Sequence, residues 1–360
     1  MNSNKRILVT GNMGYVGPGV IAHLRANCQG ATLIGVDLGY FGHCLTSRNC
    51  LPEARLDIQY YMDVRTLPLE VLKGVDAVVH LAAISNDPMG NAFEEITYDI
   101  NYKASVRIAE LAKEAGVSSF VFASSCSVYG FAEGAARDEN SELNPLTAYA
   151  KSKINTEKAV KALANDDFVI TCLRFPTACG MSDRLRLDLV LNDFVAAAVA
   201  SSKISILSDG TPWRPLIDVK DMARAIEWAI SRKPDTGGAF LAINAGRTEW
   251  NYQIKDLAEA VKAVLPGIKI SLNKDAQPDK RSYRVNFDMY KKLAPNHQPQ
   301  IDLKRSITEL KNGLNEIGFK DEDFRNSDHM RLKVLGGLRQ AGLLNDQLEW
   351  CSKKPSAFAN

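Results

Sequence analysis

Apolar and polar positions along this chain alternate in a regular rhythm. Short, nearly continuous apolar runs occur at residues 6–10, 31–36, 57–62, 77–81, 119–123 and 168–173. Between most of them lie longer amphipathic or alanine-rich stretches, at 16–25, 100–115 and 148–163. An uninterrupted apolar run of that length suits a strand buried on both faces. Strands alternating with helical stretches predict an α/β fold, a Rossmann-type doubly wound parallel sheet covered by helices on both sides.

After Pro176 the rhythm loosens. Strands are predicted at 203–207, 239–244 and 269–272, and helices at 187–200, 219–231, 254–265, 303–314 and 330–341. The stretch Asp209-Gly210-Thr211-Pro212-Trp213-Arg214-Pro215 reads as a loop because glycine and proline punctuate it. These patterns predict a first domain over residues 1–175, with returns near 216–246. A smaller, interleaved C-terminal α/β substrate domain is predicted from 176–215 and 247–360. The tail beyond Asp321 is polar, with one amphipathic helix.

Composition and charge remove whole classes. The 360 residues are 46% hydrophobic and 24% charged, enough for one or two ordinary globular domains. A formal net charge of +2 gives no electrostatic case for nucleic acid or a membrane surface. The first apolar run, Ile7-Leu8-Val9, is too short for a signal sequence or a membrane span, and no later stretch reaches spanning length without charge. Seven cysteines, an odd number with no Cys-x-x-Cys pair, predict a reduced cytoplasmic protein with buried thiols. The five histidines show no ligand spacing, so no metal is expected.

Two local patterns carry chemistry. Thr10-Gly11-Asn12-Met13-Gly14-Tyr15-Val16-Gly17 follows the first strand and opens a helix. Gly11 permits a tight turn, Gly14 lets a pyrophosphate approach the backbone, and Gly17 permits close helix–strand packing. The helix start then offers free N–H groups to phosphate. A glycine trio can equally be a plain turn, but the second strand ends in Asp37. A carboxylate there suits a ribose diol and repels a 2′-phosphate, which favours NAD over NADP; the rival role for Asp37 is a turn residue. Secondly, Tyr149 and Lys153 stand one helical turn apart, so both leave the same helix face. An ammonium beside a phenol favours the phenolate, which can take a proton from a hydroxyl. A solvated helix face is the bland alternative.

With these in order along the chain, further short motifs match. They are Asp63-Val64, His80-Leu81-Ala82-Ala83, Asn101, Ser124-Ser125-Cys126-Ser127-Val128-Tyr129-Gly130, Arg174 and Arg214-Pro215-Leu216-Ile217-Asp218-Val219. The set resembles the extended short-chain dehydrogenase/reductase family, in its nucleotide-sugar epimerase and dehydratase branch. The resemblance implies an NAD site built from Gly11, Met13, Gly14, Tyr15, Val16, Gly17, Asp37, Asp63, Val64, Leu81, Ala82, Ala83, Asn101, Tyr149, Lys153 and Pro176. It implies a catalytic trio of Ser125, Tyr149 and Lys153. It places Ser85, Asn86, Ser125, Cys126, Ser127, Thr177, Arg214 and Arg281 against a nucleotide-sugar substrate. The arginines suit the diphosphate, since a guanidinium pairs phosphate oxygens bidentately; for Arg281 a solvated charge run is the rival reading. A homodimer through helices near 91–115 and 148–163 is the further implication.

Departures from the family pattern carry information. The 4,6-dehydratases resembled here have an Asp-Glu pair directly after the catalytic hydroxyl, where this chain has Cys126 and Ser127. The family's decarboxylases use a glutamate at the Ser127 position. Neither a serine nor an ordinary thiol takes a proton from carbon as a carboxylate does. Cys126 and Ser127 remain secondary candidates for acid–base work, and Cys126 also fits a small buried filler. Thr177 stands where relatives commonly carry asparagine. The expectation is NAD-dependent C4 epimerisation of a nucleotide-linked sugar through a transient 4-keto form. The alternatives are a sugar-nucleotide dehydrogenase or ketoreductase, a dehydratase, and a non-catalytic NAD-binding protein.

Overall fold

A computed structural model describes residues 5–46, 50–85, 87–132, 134–273 and 282–351. Twelve strands are assigned among them: β1 (Arg6–Thr10), β2 (Thr32–Asp37), β3 (Ile58–Tyr61), β4 (Ala77–His80), β5 (Ser119–Ser125), β6 (Val169–Phe175), β7 (Thr177–Cys179), β8 (Lys203–Ile206), β9 (Trp213–Asp218), β10 (Phe240–Asn244), β11 (Asn251–Gln253) and β12 (Lys269–Leu272). Seven of them form one sheet in the order β10-β6-β5-β4-β1-β2-β3. Every pairing in it is parallel.

The apolar runs explain that sheet. Side chains alternate faces along a strand. Ile7 and Val9 join a core with the helices Gly17–Asn27 and Val219–Ser231, whereas Leu8 faces the opposite core, with Ile108 of the helix Ser105–Glu114. All seven residues of β6 are buried, as a strand covered on both sides requires. The chain leaves β1 for β2 on one side and returns to β4 on the other. Loops at the carboxyl ends of these two strands therefore part and leave a crevice, the usual place for a ligand in such sheets.

Pro176 separates β6 from β7, and the small sheets follow. β9 lies between β7, to which it is parallel, and β11, to which it is antiparallel. β8 and β12 form a parallel pair. The loop predicted over 209–215 is thus too long: Trp213, Arg214 and Pro215 begin β9. The turn chemistry of Pro212 and Pro215 is local, while pairing with β11 is tertiary, and the pairing prevails. The short helices Asp87–Ala92 and Asp288–Leu293 also escaped the sequence pattern, as did β7 and β11. The predicted helix at 100–115 begins instead with a π-helical stretch, Asp99–Ala104.

The polar tail does not stay with the small sheets. The helix Arg331–Gln340 follows them in sequence, but its Leu335, together with Leu344 and Leu348, is buried in the core that holds Ile34, Val36 and Tyr40 of the large sheet's side. No described helix is long and apolar enough to cross a membrane. The seven cysteines are all free, five of them buried.

Candidate active site

The turn after β1 is built as its glycines demand. Gly11 has φ +72°, and a Cβ there would lie 2.6 Å from the Ala82 backbone nitrogen. The turn thus touches the strand-end residues Leu81 and Ala82 with no room for a side chain. At Gly17 a Cβ would meet the Asn12 carbonyl oxygen at 2.3 Å. Its close packing is therefore against the turn itself, rather than the helix–strand contact expected. Asp37, at the end of β2, accepts from the Met13 N–H at 3.0 Å and the Gly39 N–H at 2.7 Å. Burial pushes its carboxyl up, and those two N–H groups oppose the rise.

A cleft of about 980 Å³ opens over this turn. Gly11, Gly14, Tyr15, Val16, Asp37, Asp63, Val64, Leu81, Ala82 and Ala83 line it. Ser125, Tyr149, Lys153, Pro176 and Thr177 line it as well. Ser85, Ser127 and Arg214 line it too. The fold therefore brings together most of the residues that the motifs singled out. Asp63 is already engaged by Arg65, which donates to it at 2.8 and 2.6 Å through the guanidinium.

Four of the expected contacts sit off the cleft, and a fifth, Tyr15, lines it with its hydroxyl turned away. Met13 meets the cleft by no side-chain surface: it is buried, and its backbone serves Asp37. Tyr15 lines the cleft, yet its hydroxyl points into the protein, donating to the Gly180 carbonyl at 2.6 Å and accepting from Asn192 at 2.9 Å. Asn101 is fully buried in the π-helical stretch and clamps the backbone of Ile84, accepting at 2.8 Å and donating at 2.9 Å. It shapes the wall without belonging to it, and a π-turn is a common way to aim such a group. Cys126 is also fully buried, its thiol donating to the Arg174 carbonyl at 3.2 Å. Burial pushes that thiol well up, so the position suits the buried filler rather than an acid–base group or a substrate contact. Gly17 packs below the turn. Asn86 and Arg281 lie outside the described residues.

The helix Ala148–Lys161 carries Tyr149 and Lys153. Thr147 caps it, accepting from the Ala150 N–H at 3.2 Å, while its hydroxyl donates to Asp87 at 2.6 Å. Lys153 is buried and donates to the Ala123 carbonyl at 2.7 Å. Its ammonium lies 5.5 Å from the Tyr149 ring centre and 4.6 Å from that of Phe122. Burial pushes Lys153 down to about 7, with Glu157 opposing. Tyr149 is half-buried and lines the cleft, and burial pushes its phenol up to about 12, with Ser125 opposing. Lys153 is not among the groups that lower Tyr149; burial dominates both side chains, raising the phenol and lowering the ammonium. Ser125 also accepts from the Ser127 N–H at 3.1 Å. The Ser127 hydroxyl is buried at the cleft wall with no partner among the described residues.

Other residues in the cleft escaped the sequence. Arg186 is buried, pairs bidentately with Asp188 at 2.8 and 2.9 Å, and donates to the Ser85 hydroxyl at 2.8 Å. Asp87 and Tyr283 line the wall near Tyr149. Arg186 and Tyr283 sit in irregular segments, Asp87 opens the short helix Asp87–Ala92, and none belongs to a motif; only the folded chain reveals their convergence.

A glycine turn at a strand-order reversal, an acidic strand end and a Ser–Tyr–Lys trio in one cleft define a dinucleotide-dependent enzyme of the short-chain dehydrogenase/reductase build. The chain belongs to the NAD dependent epimerase/dehydratase family, whose model matches residues 7–246. The uncharacterized UDP-glucose epimerase YtcB of Bacillus subtilis is 30% identical over 68% of this chain and 77% of its own. A putative UDP-glucose 4-epimerase of Methanocaldococcus jannaschii is 28% identical over 86% and 98%. Among solved structures, MoeE5 in complex with UDP-glucose and NAD is 25% identical, covers 86% of this chain and 99% of that one, and superposes with a TM-score of 0.71.

The cleft fits the family's NAD on its own terms. Gly14, the position at which a pyrophosphate would approach the backbone, lines the cleft, and the Asp37 carboxylate lines it where a ribose diol needs an acceptor.

Proposed function

We propose that this protein epimerises a nucleotide-linked sugar at C4. One observation carries the reading: Ser125, Tyr149 and Lys153 line the same cleft as the glycine turn. NAD, when bound, accepts a hydride from the sugar and returns one. Tyr149 takes the proton of the C4 hydroxyl and later gives it back. Ser125 holds the same oxygen by a hydrogen bond. Lys153 holds the ribose hydroxyls of the cofactor, and its charge then favours the phenolate. For C4 epimerisation the intermediate must turn over before reduction, and no further acid–base group is needed. The unpartnered Ser127 hydroxyl, Ser85, Thr177 and Arg214 supply donors and acceptors to the sugar and its diphosphate. Arg186 holds Ser85 in place.

In this reading residues 1–175, with the return through β10, hold the cofactor. Residues 176–215 and the predicted 247–360 segment hold the nucleotide sugar, except that the helix Arg331–Gln340 packs on the large sheet. The B. subtilis and M. jannaschii relatives are named for UDP-glucose, which makes UDP-hexoses the first substrates to try.

Dehydration is the second reading, and Asp87 is the observation on its side. A carboxylate lining the cleft near Tyr149 supplies a base that positions 126 and 127 lack. Incubating the purified enzyme with UDP-, GDP-, CDP- and dTDP-sugars separates the two. A product of unchanged mass with a new sugar NMR spectrum is expected, with no NAD added. Loss of the mass of water overturns C4 epimerisation in favour of dehydration, and a change by two hydrogens points to a dehydrogenase.

A further inference from the structure

The C-terminal segment reaches the cofactor end of the cleft. Met330, Arg331 and Leu335 share that cleft with Gly11, Gly14, Asp37, Tyr40 and Phe41. Three stretches of chain meet there. Ser182 donates to the carbonyl of Tyr15 in the glycine turn at 2.6 Å and accepts from the Arg184 N–H at 3.2 Å. Thr46 donates to the Ser182 carbonyl at 2.6 Å. Arg331 donates to the Arg184 carbonyl at 2.8 Å, and its guanidinium lies 4.6 Å from the centre of the Phe41 ring. The tail then runs on along the loop after β2. The Leu348 carbonyl accepts from the Tyr40 hydroxyl, Trp350 donates to the Leu38 carbonyl at 2.7 Å, and Arg65 donates to the Gln347 carbonyl at 2.8 Å.

Arg331 differs from its neighbours in charge balance. Arg184 pairs with Glu53 at 2.6 Å and Arg186 with Asp188 at 2.8 Å. Arg331 is buried, bonds only to carbonyls in addition to its contact with Cys44, and has no carboxylate partner among the described residues. A buried cation without a counter-charge is costly, and an anion brought nearby relieves that cost. The glycine turn offers a built place for one, three hydrogen-bond links away: Arg331 to Arg184, Arg184 to Ser182 and Ser182 to Tyr15.

We propose that residues 330–350 complete the dinucleotide site, with Arg331 as a positioning residue that holds the covering loops over the glycine turn and favours an anionic cofactor beneath them. This explains a polar tail that leaves the small sheets to dock on the large one. It rests on NAD being the cofactor and deepens the C4 reading, because a hydride returned to the same sugar requires that the cofactor stay bound between the two transfers.

The test is cofactor retention in the full chain. Wild type, Arg331→Met, Arg331→Lys and Trp350→Ala are purified, their bound NAD is counted, and its exchange against labelled NAD is timed. Arg331→Met and Trp350→Ala are expected to release NAD about tenfold faster or more, with Arg331→Lys between, as loss of a hydrogen bond to a charged group implies. The KM for the nucleotide sugar is expected to stay within about twofold, which a general loss of structure would not leave untouched. Release rates within about twofold of wild type in both Arg331→Met and Trp350→Ala overturn the proposal. Should Arg331→Met fail to fold, Trp350→Ala and Tyr40→Phe decide it by the same criterion. Tight NAD retention with no sugar conversion refutes the C4 reading and leaves this proposal standing; C4 activity with unchanged release does the reverse.

Discussion

Burial pushes the Tyr149 phenol up to about 12, and in the proposed mechanism its proton transfer is assisted by Lys153. Tyr149→Phe keeps the ring and removes the transfer. A fall in kcat of roughly 10²–10⁴-fold with little change in KM is expected from steady-state kinetics. An unchanged kcat would remove Tyr149 from the mechanism. His80, quoted in the sequence only as part of a motif, has a structural task. Its ring nitrogens bond the Thr10 hydroxyl at 2.7 Å and the Ser105 hydroxyl at 2.8 Å, tying β1, β4 and the helix Ser105–Glu114. Burial, then Lys153, pushes it down to about 3. The unfolded chain, with an ordinary histidine near 6.5, binds the extra proton between these values. Stability from this residue is therefore full above about 6.5 and is lost as the pH falls toward 3, by up to about 1.4 kcal/mol per pH unit. Urea unfolding of His80→Asn should show a flatter acid limb than wild type, whatever its absolute stability.

At the scale of elements, the catalytic helix is held by a buried ion pair one turn beyond Lys153. Glu157 receives Arg174 of β6 at 3.0 and 2.7 Å, and Ser124 of β5 at 2.5 Å. Arg174 also reaches the Tyr129 hydroxyl at 3.1 Å, which donates to Asn244 of β10 at 2.8 Å. Three strands and the helix are thereby set in register around Ser125 and Lys153. Glu157→Gln leaves the guanidinium buried without its charge, and a loss of about 3–5 kcal/mol in denaturant unfolding is expected. Arg174 was legible in the sequence as a motif residue, but its partner was not, because Glu157 on a helix looks like any solvated acid. The elements themselves were read unevenly. The strands of the large sheet and the helix Val219–Ser231 follow from apolar runs and from Asp218, whose carboxylate accepts from the Lys220 N–H at 3.0 Å. The strands β7, β9 and β11 have three to six residues each and carry no such run. They exist because they pair with one another.

For the whole molecule, the two helical stretches proposed for dimerisation present opposite charges. Glu94, Glu95 and the exposed Tyr98 lie on the outer side of one, and Lys151, Lys158 and Lys161 on the outer side of the other. A two-fold axis would set acid against base, and light scattering should report a dimer that weakens as salt is raised; a monomer at every salt concentration would discard it. The sequence by itself determined the sheet, the glycine turn, Asp37 and the Tyr149–Lys153 pair, whereas Ser125 entered only through the family resemblance. Each of the former depends on local spacing, one strand, one turn or one helical repeat, so the pattern survives in the linear chain. Tertiary structure decided the rest. It turned the Tyr15, Asn101 and Cys126 side chains away from the cleft, and it brought Asp87, Arg186 and Tyr283 into it. It also carried residues 330–350 back across the molecule to the cofactor end. Those outcomes depend on which distant segments share a wall, and on the charge and burial found there, none of which a spacing along one chain encodes.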